Sequence, residues 1–223
     1  MNVALFDYGA GNLHSLKKAL EVGGASVTVT SSWTEALSRD ALVLPGVGSF
    51  SSAVTSLARE RDRVREALEA GLPALGICLG MQLFFPESDE GAGRGIGLIP
   101  GRVRVLRSRI IPQMGWNDVT TMEDPLFEGA KDPIAYYANS YVCAPEDPRA
   151  VVAVTEYQGD TFAAAVRRFR TWGVQFHPEK SSSPGLRVIR NFLSEVKRGL
   201  HAGDEPRAES PTGASWLEGE EHV

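Results

Sequence analysis

Strand-like and helix-like segments alternate through the first half of the chain, and this alternation limits the possible folds. The strand-like runs are short and apolar or β-branched, and they span residues 2–7, 25–30, 41–46 and 73–77. Residues 12–24 and 51–71 instead place apolar side chains at helical spacing, and each segment ends at a glycine. We therefore expect an α/β fold with a mostly parallel central sheet and helices on both faces.

The pattern changes at about residue 101, where short strands separated by turns take over. These strand-like runs span residues 102–106, 150–155, 161–168 and 171–176. They predict an antiparallel strand region in the C-terminal half of the same sheet. An amphipathic helix over residues 183–200 then closes the fold. We expect one domain spanning residues 1–201.

The charge of the chain is unevenly distributed. The formal net charge is −5 at pH 7, and residues 202–223 account for all of it, with six acidic side chains against Arg207. Because the remaining body is neutral, no electrostatic reason to bind nucleic acid is present. The segment 202–223 is rich in Gly, Pro, Ser and Glu, so we expect an acidic, disordered tail.

Several functional classes are disfavoured by simple features of the sequence. No apolar run approaches the roughly 18–20 residues of a membrane span, so we expect no membrane contact. The N-terminus lacks a basic region and is interpreted as a first strand rather than a signal peptide. The two cysteines form no CxxC motif, which argues against a disulfide framework or a metal site and favours a reducing cytoplasm.

Cys78 follows an apolar strand and precedes a helix-like segment in the setting G-x-C-x-G. Small neighbours at Gly76 and Gly80 would allow the sharp strand-to-helix turn that exposes a nucleophile at the edge of a sheet. A helix N-terminus also stabilises a thiolate. Cysteine is also often a small buried core residue. This segment alone therefore supports a nucleophile and a core residue about equally.

His177 ends the strand-like run 171–176, and Glu179 follows two residues later. In an extended segment, residues two apart face the same way, so Glu179 would orient His177 and stabilise its imidazolium. The alternative is a surface His–Glu pair that arose by chance. Together with Cys78, these residues supply a nucleophile, a base and a group that orients the base.

The stretch "LPGVGSF" (44–50) also lies between a strand and a helix. Gly46 and Gly48 permit unusual backbone angles, so an amide near Val47 could bind a developing oxyanion. A phosphate-binding loop is the alternative, but the segment lacks the GxGxxG spacing and the Lys-Ser/Thr of a P-loop. We therefore expect no nucleotide cofactor, and no other cofactor is indicated.

These motifs together resemble a known family. "GICLGMQ" and "FHPE" are similar to the class I glutamine amidotransferases, which hydrolyse the side-chain amide of glutamine and pass the ammonia to a synthase. Further stretches, "DYGAGNLHSL", "LPGVGSF", "GIGLIPGRV", "PQMGWN" and "VQFHPEKS", resemble the glutaminase subunits of imidazole glycerol phosphate synthase in histidine biosynthesis. The resemblance covers about residues 2–198 and implies a flavodoxin-like fold.

The resemblance implies specific roles for residues of this chain. Cys78, His177 and Glu179 would form a catalytic triad, and Val47 and Leu79 would supply the amides of the oxyanion hole. The residues implied in glutamine binding are Gly46, Gly48, Gln82, Glu90, Asn139, Ser140 and Tyr141. The partner would be a (β/α)₈-barrel cyclase in a heterodimer, and the residues implied at its interface are Asn12, Met114, Trp116, Tyr137 and Lys180.

Two segments depart from the family pattern. The segment that holds glutamine usually begins with histidine, whereas this chain has Asn139. Phe85 and Pro86 stand where an acidic residue is common in the family, and Glu90 is the acidic residue that follows them. Three alternatives remain open: the glutaminase part of another amidotransferase, a stand-alone cysteine hydrolase, and a binding module with an inactive site.

Overall fold

The computed structural model describes residues 1–9 and 11–202. The acidic segment 202–223 therefore lies outside the described residues, apart from Ala202 at the end of the last helix. None of the helices in the described part of the chain is long and apolar enough to cross a membrane.

The secondary structure alternates as the sequence predicts in the first half of the chain. The strands are β1 Asn2–Phe6, β2 Ser26–Thr30, β3 Ala41–Leu44, β4 Ala74–Ile77, β5 Glu87–Ser88, β6 Gly101–Val105, β7 Gln113–Asp118, β8 Thr120–Thr121, β9 Ile134–Asn139, β10 Tyr141–Pro145, β11 Val151–Tyr157, β12 Asp160–Arg168 and β13 Thr171–Val174. The helices are α1 His14–Val22, α2 Trp33–Ala36, α3 Phe50–Leu57, α4 Arg61–Glu69, α5 Leu79–Gln82 and α6 Ser182–Ala202. Short 3₁₀ turns span Pro125–Phe127, Pro148–Ala150 and Pro178–Lys180.

An eight-stranded sheet forms the centre of the molecule, in the order β2-β1-β3-β4-β13-β12-β11-β8. The first five strands in this order are parallel to one another. The last three, β12, β11 and β8, continue the sheet with antiparallel pairing. The predicted α/β class, with a mainly parallel sheet and an added antiparallel region, is confirmed. Two small sheets, β10-β6-β5 and β7-β9, complete the fold. The prediction that the run 102–106 joins the main sheet is wrong, because this run forms β6, which pairs with β10 and β5 instead. The residue pattern of a strand does not specify which sheet it joins.

Alternate side chains of β1 show how the sheet separates two hydrophobic cores. Val3 and Leu5 are fully buried on the side covered by α1 and α6. Ala4 and Phe6 are fully buried on the opposite side, where Phe6 stacks on Trp33 of α2 with 3.8 Å between ring centroids. Full burial of a large apolar side chain contributes roughly 1.5–3 kcal/mol, so both helical layers are held firmly against the sheet.

The last helix runs from the carboxyl ends of the parallel strands back to their amino ends. α6 begins at Ser182, just after the 3₁₀ turn that follows β13. Near its other end, the carbonyl of Glu195 accepts a hydrogen bond of 2.7 Å from the Arg170 guanidinium, in the turn that precedes β13. The C-terminal end of α6 therefore lies at the amino edge of the parallel strands.

Two helical predictions need correction. The helix expected over 51–71 is interrupted: α3 ends at Leu57 and α4 begins at Arg61. Leu57 and Val64 are both fully buried in the same core, so the apolar spacing fits one helix as well as two and does not reveal the break. The helix expected after Cys78 is a single turn, α5, because Phe84 and Phe85 already leave the α-helical pattern.

Candidate active site

Three neighbouring parallel strands end at the same edge of the main sheet, and the candidate residues follow them. β3 leads into the loop 45–49, β4 leads directly into Cys78, and β13 leads into residues 175–177. The carboxyl edge of a parallel sheet is where α/β proteins bind ligands. The sheet therefore brings together segments that are far apart in the sequence.

Cys78 stands on a strained turn. Its φ of 47° and ψ of −104° are unusual for a residue with a side chain. A Cβ on Gly80 would lie 2.1 Å from the Leu44 carbonyl oxygen, and one on Gly76 would lie 2.5 Å from the Gly80 backbone. Only glycine fits at either position, so the G-x-C-x-G sequence is a steric requirement of this turn.

His177 and Glu179 contact each other directly, since Nδ1 of His177 lies 2.9 Å from Oε1 of Glu179. The local geometry differs from the extended segment that the sequence analysis assumed. Residues Pro178–Lys180 form a 3₁₀ turn, with His177 as the residue before it. The turn folds the Glu179 carboxylate back onto the imidazole, so the contact is present although its assumed geometry was wrong.

The environment of His177 favours its charged form. Burial lowers the pKa of the imidazole, but hydrogen bonds with Cys78 and Glu179, together with their charges, raise the pKa from 6.5 to about 9. At neutral pH the imidazolium therefore lies between the sulfur and the carboxylate. An imidazolium held between a cysteine sulfur and a carboxylate is suited to proton transfer during nucleophilic attack on an acyl carbon.

The loop after β3 packs tightly against Cys78 and His177. A Cβ on Gly46 would lie 2.9 Å from both Cys78 Cβ and His177 Cε1, so Gly46 occupies the angle between these two side chains. Gly48 has a φ of 99°, which favours glycine. On its other side, the Val47 side chain contacts Gly11, where an added Cβ would lie 2.5 Å from Val47 Cβ.

Three of the residues expected to bind glutamine, Gln82, Asn139 and Tyr141, meet at the end of α5. Gln82 Nε2 and Asn139 Nδ2 both donate to the Tyr141 carbonyl oxygen, at 3.3 and 3.2 Å. Ser140 lies between the last two residues and accepts a hydrogen bond from the Leu106 amide through its carbonyl. Glu90 is half-buried; burial raises the pKa of its carboxyl, although a hydrogen bond from the Phe50 amide opposes this.

The residues expected at a partner interface divide between surface and core. Asn12, Met114, Trp116 and Lys180 are exposed, and the Lys180 ammonium lies 5.8 Å from the centre of the Tyr136 ring. Tyr137, by contrast, is fully buried. Neighbouring residues of β9 point to opposite faces, so Tyr136 occupies the outer face where Tyr137 was expected. Three further apolar side chains, which no sequence motif marks, are also exposed: Ile110, Ile111 and Ile134.

The sequence motifs do not identify one further residue that contacts Cys78. Gln175 follows β13 and is fully buried, and its Nε2 lies 3.4 Å from Cys78 Sγ. It lies within the apolar run 171–176, which predicts a strand. A polar side chain in a buried run is the feature that could have identified it. Within the described residues, no group of three or more His, Cys, Asp or Glu side chains could hold a metal ion.

Comparison with known proteins now identifies the family. The model of the family "Glutamine amidotransferase class-I" matches residues 4–196. Subunit HisH of imidazole glycerol phosphate synthase from Synechococcus elongatus is 41% identical over 203 residues, which cover 87% of this chain and 93% of the relative. The HisH subunit from Chlorobaculum tepidum is 43% identical, with 85% and 98% covered. The chain belongs to the class I glutamine amidotransferases.

Solved structures show the same fold for this class I glutamine amidotransferase. A crystal structure described as a glutamine amidotransferase matches with a TM-score of 0.69 at 23% identity, covering 87% of this chain and 99% of that one. The structure of PurLQS from Thermotoga maritima matches with a TM-score of 0.70 at 18% identity, covering 87% and 98%. At these identities the likeness concerns the fold, whereas membership of the family makes the chain a glutamine amidotransferase enzyme.

Proposed function

We propose that this chain is the glutaminase subunit of imidazole glycerol phosphate synthase and acts in histidine biosynthesis. It hydrolyses glutamine to glutamate and ammonia and passes the ammonia to a cyclase subunit. The observation that carries the proposal is the meeting of Cys78, His177 and Glu179 at one sheet edge, in a chain of this family. Similarity to HisH subunits over nearly their whole length supports the narrower assignment.

The proposed reaction has two acyl-transfer steps at Cys78. The sulfur attacks the side-chain amide carbon of glutamine, and a tetrahedral intermediate forms. His177 gives its proton to the departing nitrogen, the C–N bond breaks, and ammonia leaves behind a thioester. His177 then takes a proton from the water that attacks the thioester carbon, and the C–S bond breaks. Glutamate is released, its carboxyl proton passes to solvent, and the Cys78 thiolate and the His177 imidazolium are restored. Glu179 holds the imidazole in position through both steps.

Backbone amides at the cysteine would stabilise the negative charge that develops on the carbonyl oxygen. We assign this role to the amides of Leu79 and Val47, which lie next to Cys78 and Gly46 in the chain. A single donor of this kind is worth on the order of 10²–10³ in rate. The proximity of Gly46 to both Cys78 and His177 supports the assignment, because it brings the loop against the reacting groups.

The amino-acid end of glutamine is assigned to the residues beside α5. Gln82 and the segment 139–141 are joined through the Tyr141 carbonyl, and Asn139 Oδ1 is buried with no hydrogen-bond partner among the described residues. These groups could bind the carboxylate and ammonium of the substrate, together with Glu90, Gly46 and Gly48. The assignment of Asn139 rests on its amide, since the imidazole usual in the family is absent here.

The proposed partner is a (β/α)₈-barrel cyclase, bound as a heterodimer. The exposed Met114, Trp116 and Lys180 support an interface beside the Tyr136 ring, which both Trp116 and Lys180 approach. Asn12 is exposed, and it is assigned to the interface from its sequence motif. We expect glutamine hydrolysis to be slow in the isolated chain and to increase when the cyclase and its ligand bind. Both cysteines are thiols in the structure, which supports a reducing cytoplasm as the site of action.

The decisive experiment compares two cysteine variants in the complex with the cyclase. Cys78→Ala should lower glutamine-dependent turnover by at least about 10³-fold, because the nucleophile is removed, yet leave turnover on supplied ammonia intact. Cys143→Ala is the matched control, because Cys143 is the second buried thiol. Burial raises the pKa of this thiol, and the charge of Cys78 adds to the effect. Retention of glutamine-dependent turnover in Cys78→Ala, or its absence from the wild-type complex, would contradict the proposal.

A further inference from the structure

The side chain of Gln175 makes an unusual contact for a fully buried amide. Its backbone amide donates to the Ala164 carbonyl at 2.9 Å, which fixes the residue at the end of β13. Its side-chain Nε2 lies 3.4 Å from Cys78 Sγ, the atom that would attack the substrate. The separation suits an N–H donor pointed at sulfur.

The other half of the same amide has no compensating contact. Gln175 Oε1 is buried and has no hydrogen-bond partner among the described residues. A buried polar atom without a partner costs roughly 1–3 kcal/mol, and an apolar side chain would avoid that cost. The amide therefore weakens the fold at this position, and its contact with the sulfur offers a reason for its presence.

We propose that Gln175 is a further catalytic residue, whose side-chain amide donates a hydrogen bond to the Cys78 thiolate and holds the sulfur ready for attack. The proposal deepens the proposed function and rests on Cys78 being the nucleophile. A hydrogen bond from a neutral donor to a charged acceptor is stronger than one between neutral groups. It would increase the thiolate population before glutamine binds, and it would weaken once the sulfur becomes part of the thioester.

The donor acts beside a second, charged partner of the sulfur. The titratable groups recorded around the Cys78 thiol are His177 and, through it, Glu179, together with Cys143. His177 must release its proton to the leaving ammonia, whereas the Gln175 amide does not change its protonation. Gln175 is thus suited to keep the sulfur in position while the imidazole carries out proton transfer.

Alkylation of the thiol tests the proposal without relying on turnover. Iodoacetamide is applied to the full chain from pH 5 to 10, and modification of Cys78 is followed by mass spectrometry of its peptide. In Gln175→Leu the alkylation rate at pH 7 should fall about tenfold, and the pH midpoint of the profile should rise by about one unit. A wild-type profile in this variant would overturn the proposal.

Thermal unfolding separates this role from a structural one. Gln175→Leu removes a buried atom without a partner, so the melting temperature should stay the same or rise while thiol reactivity falls. If Gln175 only supported the fold, its replacement would lower the melting temperature and leave the thiol reactivity unchanged. Gln175→Met, with a more adaptable side chain, is the second variant if leucine prevents folding, and it should show the same slower alkylation; an unchanged rate there would equally overturn the proposal.

A matched control lies at the other end of the same strand. Thr171 is fully buried, and its Oγ1 has no hydrogen-bond partner among the described residues. Thr171→Val should leave alkylation of Cys78 unchanged, and equal slowing in both variants would overturn the proposal. If the wild-type complex failed to use glutamine but Gln175→Leu still slowed alkylation, the proposed function would fail and the sulfur contact would stand.

Discussion

At the scale of single residues, the candidate site is defined by crowding. Gly46, Gly76 and Gly80 each approach another part of the site closer than any side chain would allow. The turn that they permit gives Cys78 its positive φ, a conformation that costs of order 1–3 kcal/mol. The surrounding close packing holds the sulfur at the sheet edge despite this cost, in the position that the proposed chemistry requires.

Gly46→Ala should impair activity far more than stability. The added methyl would lie 2.9 Å from both Cys78 Cβ and His177 Cε1, so one of these groups must move. A displacement near 1 Å at reacting groups costs on the order of 10²-fold in rate, and we expect kcat for glutamine hydrolysis in the complex to fall by this amount. Gly159→Ala is the contrast: it has a φ of 86° and open space, so it should lower stability by about 1 kcal/mol with kcat unchanged.

The raised pKa of His177 predicts a pH-dependent contribution to stability. Because its pKa in the folded chain is about 9, against 6.5 when unperturbed, protonated His177 stabilises the fold fully below about pH 6.5. This contribution, at most about 3 kcal/mol, disappears as the pH rises through 9. Urea unfolding of wild type and His177→Asn at pH 6 and pH 10 should therefore show a larger difference at pH 6. A difference that grows towards pH 10 would contradict the shift.

At the scale of elements, periodicity predicted most strands of the main sheet, but only β6 among the strands of the small sheets. β1, β3 and β4 are fully apolar runs or nearly so, and their parallel pairing follows from the helices between them. The sheet β7-β9 was not predicted because "QMGWND" places Gln113 and Asn117 on its more buried face and Met114 and Trp116 on its exposed face, the reverse of the usual strand pattern. In the site, the partnership of His177 with Glu179 was predictable from their spacing, whereas the Gln175 contact depends on how β13 and β4 pair.

The small sheet β10-β6-β5 is tied to the main sheet by a buried ion pair. Arg104 of β6 binds Asp160 of β12 through two hydrogen bonds of 2.7 and 2.8 Å. Burial raises the pKa of the Asp160 carboxyl, but Arg104 and the Arg107 amide outweigh this and lower it. The connection between the two sheets therefore depends on a charged carboxylate.

Asp160→Asn should lower the free energy of unfolding by about 3–5 kcal/mol, because Arg104 would lose the negative charge that compensates its own. The double variant with Arg104→Met should recover part of this loss. The exposed pair Arg65–Glu69 on α4 is the control, and Glu69→Gln should change stability by only about 0.3–0.5 kcal/mol in the same urea titration. Equal effects of the two carboxylate variants would show that burial of the pair is unimportant.

At the scale of the whole molecule, the catalytic residues and an exposed apolar surface belong to neighbouring parts of the structure. The β7–β9 patch consists of the exposed side chains Met114, Trp116 and Ile134. Ala138, which pairs with Met114, has its carbonyl oxygen 4.0 Å from Cys78 Sγ. A partner bound on the patch would therefore lie close to the point where ammonia is released.

Trp116→Ala should weaken binding of the cyclase by at least about 2 kcal/mol, because an exposed tryptophan within an apolar patch is typical of an interface hot spot. The stability of the isolated chain should change by less than about 0.5 kcal/mol, since the side chain is 55% exposed. Phe169 is a matched control: it is 50% exposed but lies in the turn before β13. Phe169→Ala should leave the dissociation constant, measured by calorimetry, unaltered.

The path of α6 has a practical consequence for handling the molecule. The helix starts beside the turn that contains Glu179 and ends near Arg170, at the amino ends of the parallel strands. A fluorophore or surface anchor attached at this end of α6 would therefore start at the amino ends of the parallel strands, whereas Cys78 lies at their carboxyl ends. Immobilised through that end, the chain would keep the sheet edge that carries Cys78 directed away from the support.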